Sequence, residues 1–307
     1  MVIHDRSYSR WQGDRAAPVK AAAAIVAAGI KRGTAIVFRR KIPAVLLILV
    51  AFGPFVFFLL LLYFAAFAVS HADQFPEGMV EGLRDSHLLQ VITPSPEWVY
   101  TYMFLWQCAF VVVACLLIGA GLIAEDRRAN ALEMYLSRPV SVRQYLLGKL
   151  ATIGFFVALV TVIPTVIMIL AQLSVSWSQA GEVLRLLKLL AGTLLGGAVW
   201  VLIPSLTILT ASSLADRARN AAILWMGVVV MLEFVVSNIL REVFNADSFY
   251  LLQLGFNIRQ VLNAVLGNAT DIVATVPVWQ SALVLLAWVV ICIRVLHVRV
   301  KPVEVVA

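Results

Sequence analysis

Glu233 is the single carboxylate inside a long apolar run, AAILWMGVVVMLEFVVSNIL, residues 221–240. An ionised group near the middle of a membrane span costs about 2.5–3.5 kcal/mol on insertion scales, so its side chain must face protein or water. Two readings stay open: a polar contact lining a path or a subunit interface, or a protonated carboxyl hydrogen-bonded to a neighbouring helix. Asn238 shares its environment but not its helical face. The stretch HADQFPEGMVEGLRDSHLLQ offers His71, Asp73, Glu77, Glu81, Asp85 and His87 as conceivable ligands, with Glu77, Glu81 and Asp85 on one helical face. Metal ions need ligands converging within about 2.0–2.6 Å, and an acidic face on a solvated helix is far commoner, so no metal site is expected. Gly148-Lys149 lacks the glycine five residues earlier that a phosphate-cradling loop needs, since Arg143 stands there, and no Ser or Thr follows. His4, His71, His87 and His297 all lie away from mid-span positions. A nucleophile with its base at membrane depth is therefore missing, and no intrinsic enzyme activity is expected.

The elements that must position these residues follow from composition. The chain has 307 residues, is 62% hydrophobic and 13% charged, and has a mean hydropathy of +0.94. Soluble domains run near 45–50% apolar, so this is an integral membrane protein. Cys108, Cys115 and Cys292 all sit in apolar runs, with neither disulfide nor metal spacing.

A helix needs about 20 apolar residues to cross the hydrocarbon layer. Six runs qualify: Ile42 to Val69, Val99 to Ala124, Leu150 to Leu173, Leu187 to Ala211, Ala221 to Leu240, and Val278 to Leu296. The first is too long for a signal-peptide core of about 7–15 residues and reads as an uncleaved span. Of the 24 Lys and Arg residues, nineteen fall before Ile42, in 125–149, in 212–220 and after Val290, against five in the alternate loops. The positive-inside rule makes both termini cytoplasmic and gives the net charge of +7 a membrane explanation rather than a nucleic-acid one.

Residues 1–41 form a polar arm, 1–17, and then PVKAAAAIVAAGIKRGTAIVFRR from Pro18 to Arg40. The latter reads as a helix in the cytoplasmic interface with its cations toward lipid headgroups, or alternatively as a helix packed on the protein itself. A six-span domain covers 42–300, and 301–307 is a cytoplasmic tail. Gly192 and Gly196 form a GxxxG spacing that lets another helix come close, within one subunit or across a dimer.

The segment EDRRANALEMYLSRPVSVRQYLLGK, 125–149, holds eight charged side chains between two apolar runs. Ala131, Leu132, Tyr135 and Leu136 recur at helical spacing, Arg138-Pro139 stops that helix, and Ser141 with Gln144 makes a capping box for the next. A short surface helix, a break and a new helix start suit docking to a partner. An ordinary solvated helical turn would read the same way.

The run GAGLIAEDRRANALEMYLSRPVSVRQYLLGK resembles the segment after the second span in permeases of ABC-2-type transporters. There a small-residue helix end, an acid, bases, a Leu-Glu pair, Ser-x-Pro and Gly-Lys form the coupling-helix region that docks on an ATPase subunit. The resemblance falls on Glu125, Arg127, Arg128, Leu132, Glu133, Ser137, Pro139, Gly148 and Lys149, with Arg138 joining the ATPase-coupling set. Asn130-Ala131 departs from the Gly-Thr that often precedes the Leu-Glu pair. The resemblance implies an all-α fold with six transmembrane helices, an N-terminal interfacial connecting helix and short re-entrant helices between spans five and six, where 241–277 fit. It implies an exporter permease in the cell inner membrane, paired with a second permease copy or a similar permease. Cofactors are expected only in the partner: ATP and Mg belong to a separate ABC ATPase subunit, since a fused one would add roughly 200 residues. Nucleic acid is not an expected partner. An ion-coupled carrier, or a non-transporting anchor or sensor, is the alternative from another class; the lack of repeat symmetry and of several buried charges speaks against the carrier. The match of Asn268-Ala-Thr270 to a glycosylation sequon is taken as chance.

Overall fold

The computed structural model describes residues 18–39, 41–70, 97–131, 141–175, 180–267 and 276–300. Every regular element among them is helical, as apolar sequence must be where no water can satisfy the backbone. In chain order these are α1 (Pro18–Val37), α2 (Lys41–Ser70), α3 (Glu97–Ala114), α4 (Gly121–Arg128), α5 (Val142–Val160), α6 (Val162–Val175), α7 (Ala180–Leu214), α8 (Ala218–Val230), α9 (Ser237–Phe244), α10 (Leu254–Leu266) and α11 (Val278–Arg299). A π-helical turn, Cys115–Gly119, joins α3 toward α4, another, Met231–Val236, joins α8 to α9, and a 3-10 turn, Asp247–Leu252, precedes α10.

Among the described residues, five helical stretches are long and apolar enough to cross a membrane: Tyr100–Arg128, Val142–Val160, Ala180–Leu214, Ala218–Phe244 and Val278–Arg299. The expected run Ile42 to Val69 falls on α2, in which Ala51–Leu60 is a shorter apolar stretch. The expected run Leu150 to Leu173 is not one helix. Thr161 interrupts it, because Pro164 lacks an N–H and its ring opposes the carbonyl four residues back. The hydroxyls of Thr161 and Thr165 bond back to the carbonyls of Val157 and Thr161 at 2.8 Å on either side of the break.

The 35-residue α7 is the central post, packed by α4, α5, α6, α8, α10 and α11. Its buried face carries small residues where neighbours press closest and Trp200 where they do not; Trp200 meets Phe104 of α3 edge to face at 5.6 Å between centroids. At the far side α1 lies against α5 through glycines. A Cβ on Gly29 would sit 2.5 Å from the Thr152 hydroxyl, one on Gly33 2.6 Å from the Phe156 ring, and one on Gly148 2.9 Å from Ile25. Close approach of backbones through small residues is the usual way helices associate without a hydrophobic driving force. One face of α1 thus packs on the protein, and the opposite face, with Ala23, Ala27 and Lys31, is exposed.

Candidate functional site

The base of the charged segment gathers three ion pairs and a buried hydrogen bond. α4 ends in Glu125, Asp126, Arg127 and Arg128, and successive helical residues point about 100° apart, so the four side chains fan outward. Glu125 pairs with Arg32 of α1. Asp126 turns inward, accepting from the Tyr145 hydroxyl at 2.9 Å and lying 2.6 Å from the Lys149 ammonium, both on α5. Arg127 donates to the Ser213 carbonyl at 2.5 Å and stands 3.4 Å from Asp216, at the end of α7 and just beyond it. Arg128 is exposed. Three adjacent residues therefore tie one helix end to three different elements.

The inward pair is the unusual one. The side chains of Lys149 and Asp126 are 8% and 9% exposed, and the ammonium also lies 5.4 Å from the Tyr145 ring centroid. Burying two charges costs several kcal/mol per ion unless the geometry and additional hydrogen bonds compensate. Tyr145, the ion pair and the ring contact provide that compensation here.

Just above the fan, Ser212 of α7 inserts its hydroxyl into the backbone of α4. It donates to the Ala120 carbonyl at 2.7 Å and accepts from the amides of Ile123 and Ala124 at 3.1 and 3.0 Å. Side-chain insertion beside a π-helical turn is a recognised cause of a helix bend. Below the fan, Asn130 adopts a left-handed conformation, φ 53°, that ends α4. Asn tolerates this region nearly as Gly does, which accounts physically for Asn at the departure noted in the sequence. The expected capping box is present: Ser141 accepts from the Gln144 amide at 3.3 Å, and Gln144 accepts from the Ser141 amide at 3.0 Å. Both stems of the segment are thereby defined. Leu132, Glu133, Ser137, Arg138 and Pro139 lie outside the described residues, as do the possible ligands from His71 to His87 and the sequon at Asn268. Among the described residues no group of three or more His, Cys, Asp or Glu could hold a metal ion.

The remaining sequence candidates converge on α10. The Glu233 carboxyl accepts from the Gly255 amide at 3.1 Å, and its backbone carbonyl accepts from Gln253 at 2.9 Å, so it caps the N-terminus of α10. Helix N-termini favour such an acceptor because their first amides lack partners. Gly255 is what allows it, since a Cβ there would lie 2.3 Å from the carboxyl oxygen. Gly192 and Gly196 of α7 receive the other part of the same helix: a Cβ on them would meet the Val265 carbonyl at 2.5 Å and the Leu262 side chain at 2.6 Å. Asn238 does not join this group. It is exposed and donates to the Phe234 carbonyl of its own helical segment at 2.8 Å.

Asp126, Tyr145, Ser212 and Arg32 were not singled out from sequence, although each stood inside a stretch noted for its charge. Gln107 of α3 was missed as well. It is fully buried, and neither amide atom has a hydrogen-bond partner among the described residues. A lone amide in the middle of an apolar run was the available signal.

A family model described as ABC-2 family transporter protein matches residues 39–299. A search of curated proteins found no match.

Proposed function

The chain belongs to the ABC-2 transporter family, and from that premise we propose that it is the transmembrane permease subunit of an ATP-driven exporter whose ATPase is a separate polypeptide. The arrangement at the end of α4 is the observation that carries the reading. Glu125, Asp126 and Arg127 connect the stem of segment 125–149 to α1, α5 and α7, so a push on the segment is delivered to three elements together. An ordinary solvated loop has no need of a buried ion pair at its stem.

In this reading α2 supplies a sixth span beside the five long apolar stretches. Both termini are cytoplasmic in the inner membrane, α1 is the interfacial connecting helix, and the 3-10 turn and α10 form the re-entrant hairpin between spans five and six. Two permease copies, or this chain and a similar one, carry two ATPase subunits. Nucleotide binding closes the ATPases and displaces segment 125–149. The bundles then move as rigid bodies between two states biased by nucleotide. Glu233 serves the path indirectly by holding α10 in place.

The test is to reconstitute the permease with its ATPase and measure transport and hydrolysis together. Glu133→Ala and Pro139→Ala are each expected to uncouple the two while leaving the protein folded. Unchanged transport per ATP in both variants would remove the docking assignment.

A further inference from the structure

A cavity of about 350 Å³ opens between α1, α2, α3 and α5, lined by Val37, Phe38, Phe52, Phe110, Leu117 and Phe156 among others. Its size falls within the roughly 300–1,000 Å³ of ligand sites, and its wall is apolar apart from Thr34. The packing that makes it is specific. Gly33 holds α1 against the Phe156 ring; α1 ends at Val37 and α2 begins at Lys41. The wedge between the two helices is left unfilled.

The chemistry at one end of that wedge is one-sided. The turn from α1 into α2 carries Arg39 and Lys41, both exposed, immediately after the lining residue Phe38. Between residues 18 and 70 the sequence has Lys20, Lys31, Arg32, Arg39, Arg40 and Lys41 and not one Asp or Glu. Arg32 is engaged by Glu125, whereas Arg39 and Lys41, one and three residues along the chain from the lining residue Phe38, are exposed. An apolar slot followed along the chain by cations that have no ion pair among the described residues complements a molecule with hydrocarbon at one end and an anion at the other. Basic clusters at the membrane surface recognise anionic headgroups in the same way.

We propose that this cavity holds an acyl chain of an anionic phospholipid from the leaflet on the basic side, its headgroup phosphate seated on Arg39 and Lys41. The proposal needs only that the chain be embedded in a membrane; it is independent of the export reading and survives if that reading fails. The lipid fills the wedge between α1 and α2 and so fixes the angle at which α1 leaves the bundle.

The experiment uses the full chain, stripped of lipid in detergent and titrated with dioleoyl phosphatidylglycerol, dioleoyl phosphatidylcholine or glycerol phosphate. Retained lipid is counted by native mass spectrometry and Tm is followed in parallel. Phosphatidylglycerol is expected to be retained and to raise Tm more than phosphatidylcholine, with glycerol phosphate inert. Each of Arg39→Gln and Lys41→Gln weakens phosphatidylglycerol binding by about fivefold, the equivalent of about 1 kcal/mol per cation. Ala114→Phe, or the more exposed Leu117→Trp should the first perturb folding, lowers retention of both lipids. Equal retention of the two lipids, a full response to glycerol phosphate, or undiminished phosphatidylglycerol binding in the filled variants would overturn the proposal. A change in oligomeric state in Leu117→Trp with lipid retention intact would assign the cavity to a second copy of the chain instead.

Discussion

Removing one member of the Asp126–Lys149 pair tests the stem of segment 125–149 quantitatively. Asp126→Ala takes the carboxylate away from the Lys149 ammonium, in a site where the lysine residue is 6% exposed. Breaking a buried pair by deleting one partner costs about 3–5 kcal/mol, because the survivor stays charged and desolvated. The Tyr145 hydroxyl, itself buried, also loses its acceptor at 2.9 Å, a loss of about 1–3 kcal/mol that overlaps with the first figure. Asp126→Leu combined with Lys149→Met removes both charges, and buried pairs replaced by apolar residues of similar size are often neutral or stabilising. The expected pattern is thus a large loss in the single variant and near-complete recovery in the double, read from denaturant unfolding in detergent micelles. Coupling of transport to hydrolysis would still fall in the double variant, since α4 is no longer tied to α5 by charge. A single-variant cost below about 1 kcal/mol, the figure for a surface pair, would refute the claim that this bridge is buried and structural.

Ser212→Ala leaves the Ala120 carbonyl and the Ile123 and Ala124 amides without the inserted hydroxyl, and unfolding in micelles should show a loss of about 1–3 kcal/mol. Gly255→Ala places a methyl 2.3 Å from the Glu233 carboxyl and is expected to cost about 1–3 kcal/mol, whereas Gly227→Ala, where nothing lies within 4 Å, should be neutral or stabilising in the same assay. Gln107→Leu replaces a buried amide that has no partner among the described residues, and should raise stability by about 1–3 kcal/mol; a simultaneous fall in transport would mark Gln107 as a polar element of the path.

Hydropathy alone located four of the five described long stretches, because the demand that backbone groups be paired in hydrocarbon leaves a strong local signature; the run Leu150 to Leu173 straddles two helices. The capping box at Ser141 and Gln144 was legible for the same reason: both partners sit three residues apart. What sequence did not reveal depends on which helices become neighbours. Ser212 reaches Ala120 across 92 positions, and Asp126 finds Lys149 only because α4 and α5 lie side by side. Glu233 shows the limit from the other direction. Its cost in the membrane was evident, but that its partner is the amide of Gly255 requires knowing that α10 folds back against the stretch Ala218–Phe244. The interruption at Thr161 was readable from Pro164 and was passed over because the apolar run continues through it.

The account turns on a separate ATPase subunit docked at segment 125–149. The most direct measurement is to extract the tagged chain from its native membrane in mild detergent and identify the proteins that accompany it. The account predicts a stoichiometric ABC ATPase that is lost when Glu133 and Arg138 are reversed in charge. A chain that purifies alone, or an ATPase that remains bound to the charge-reversed variant, would contradict it.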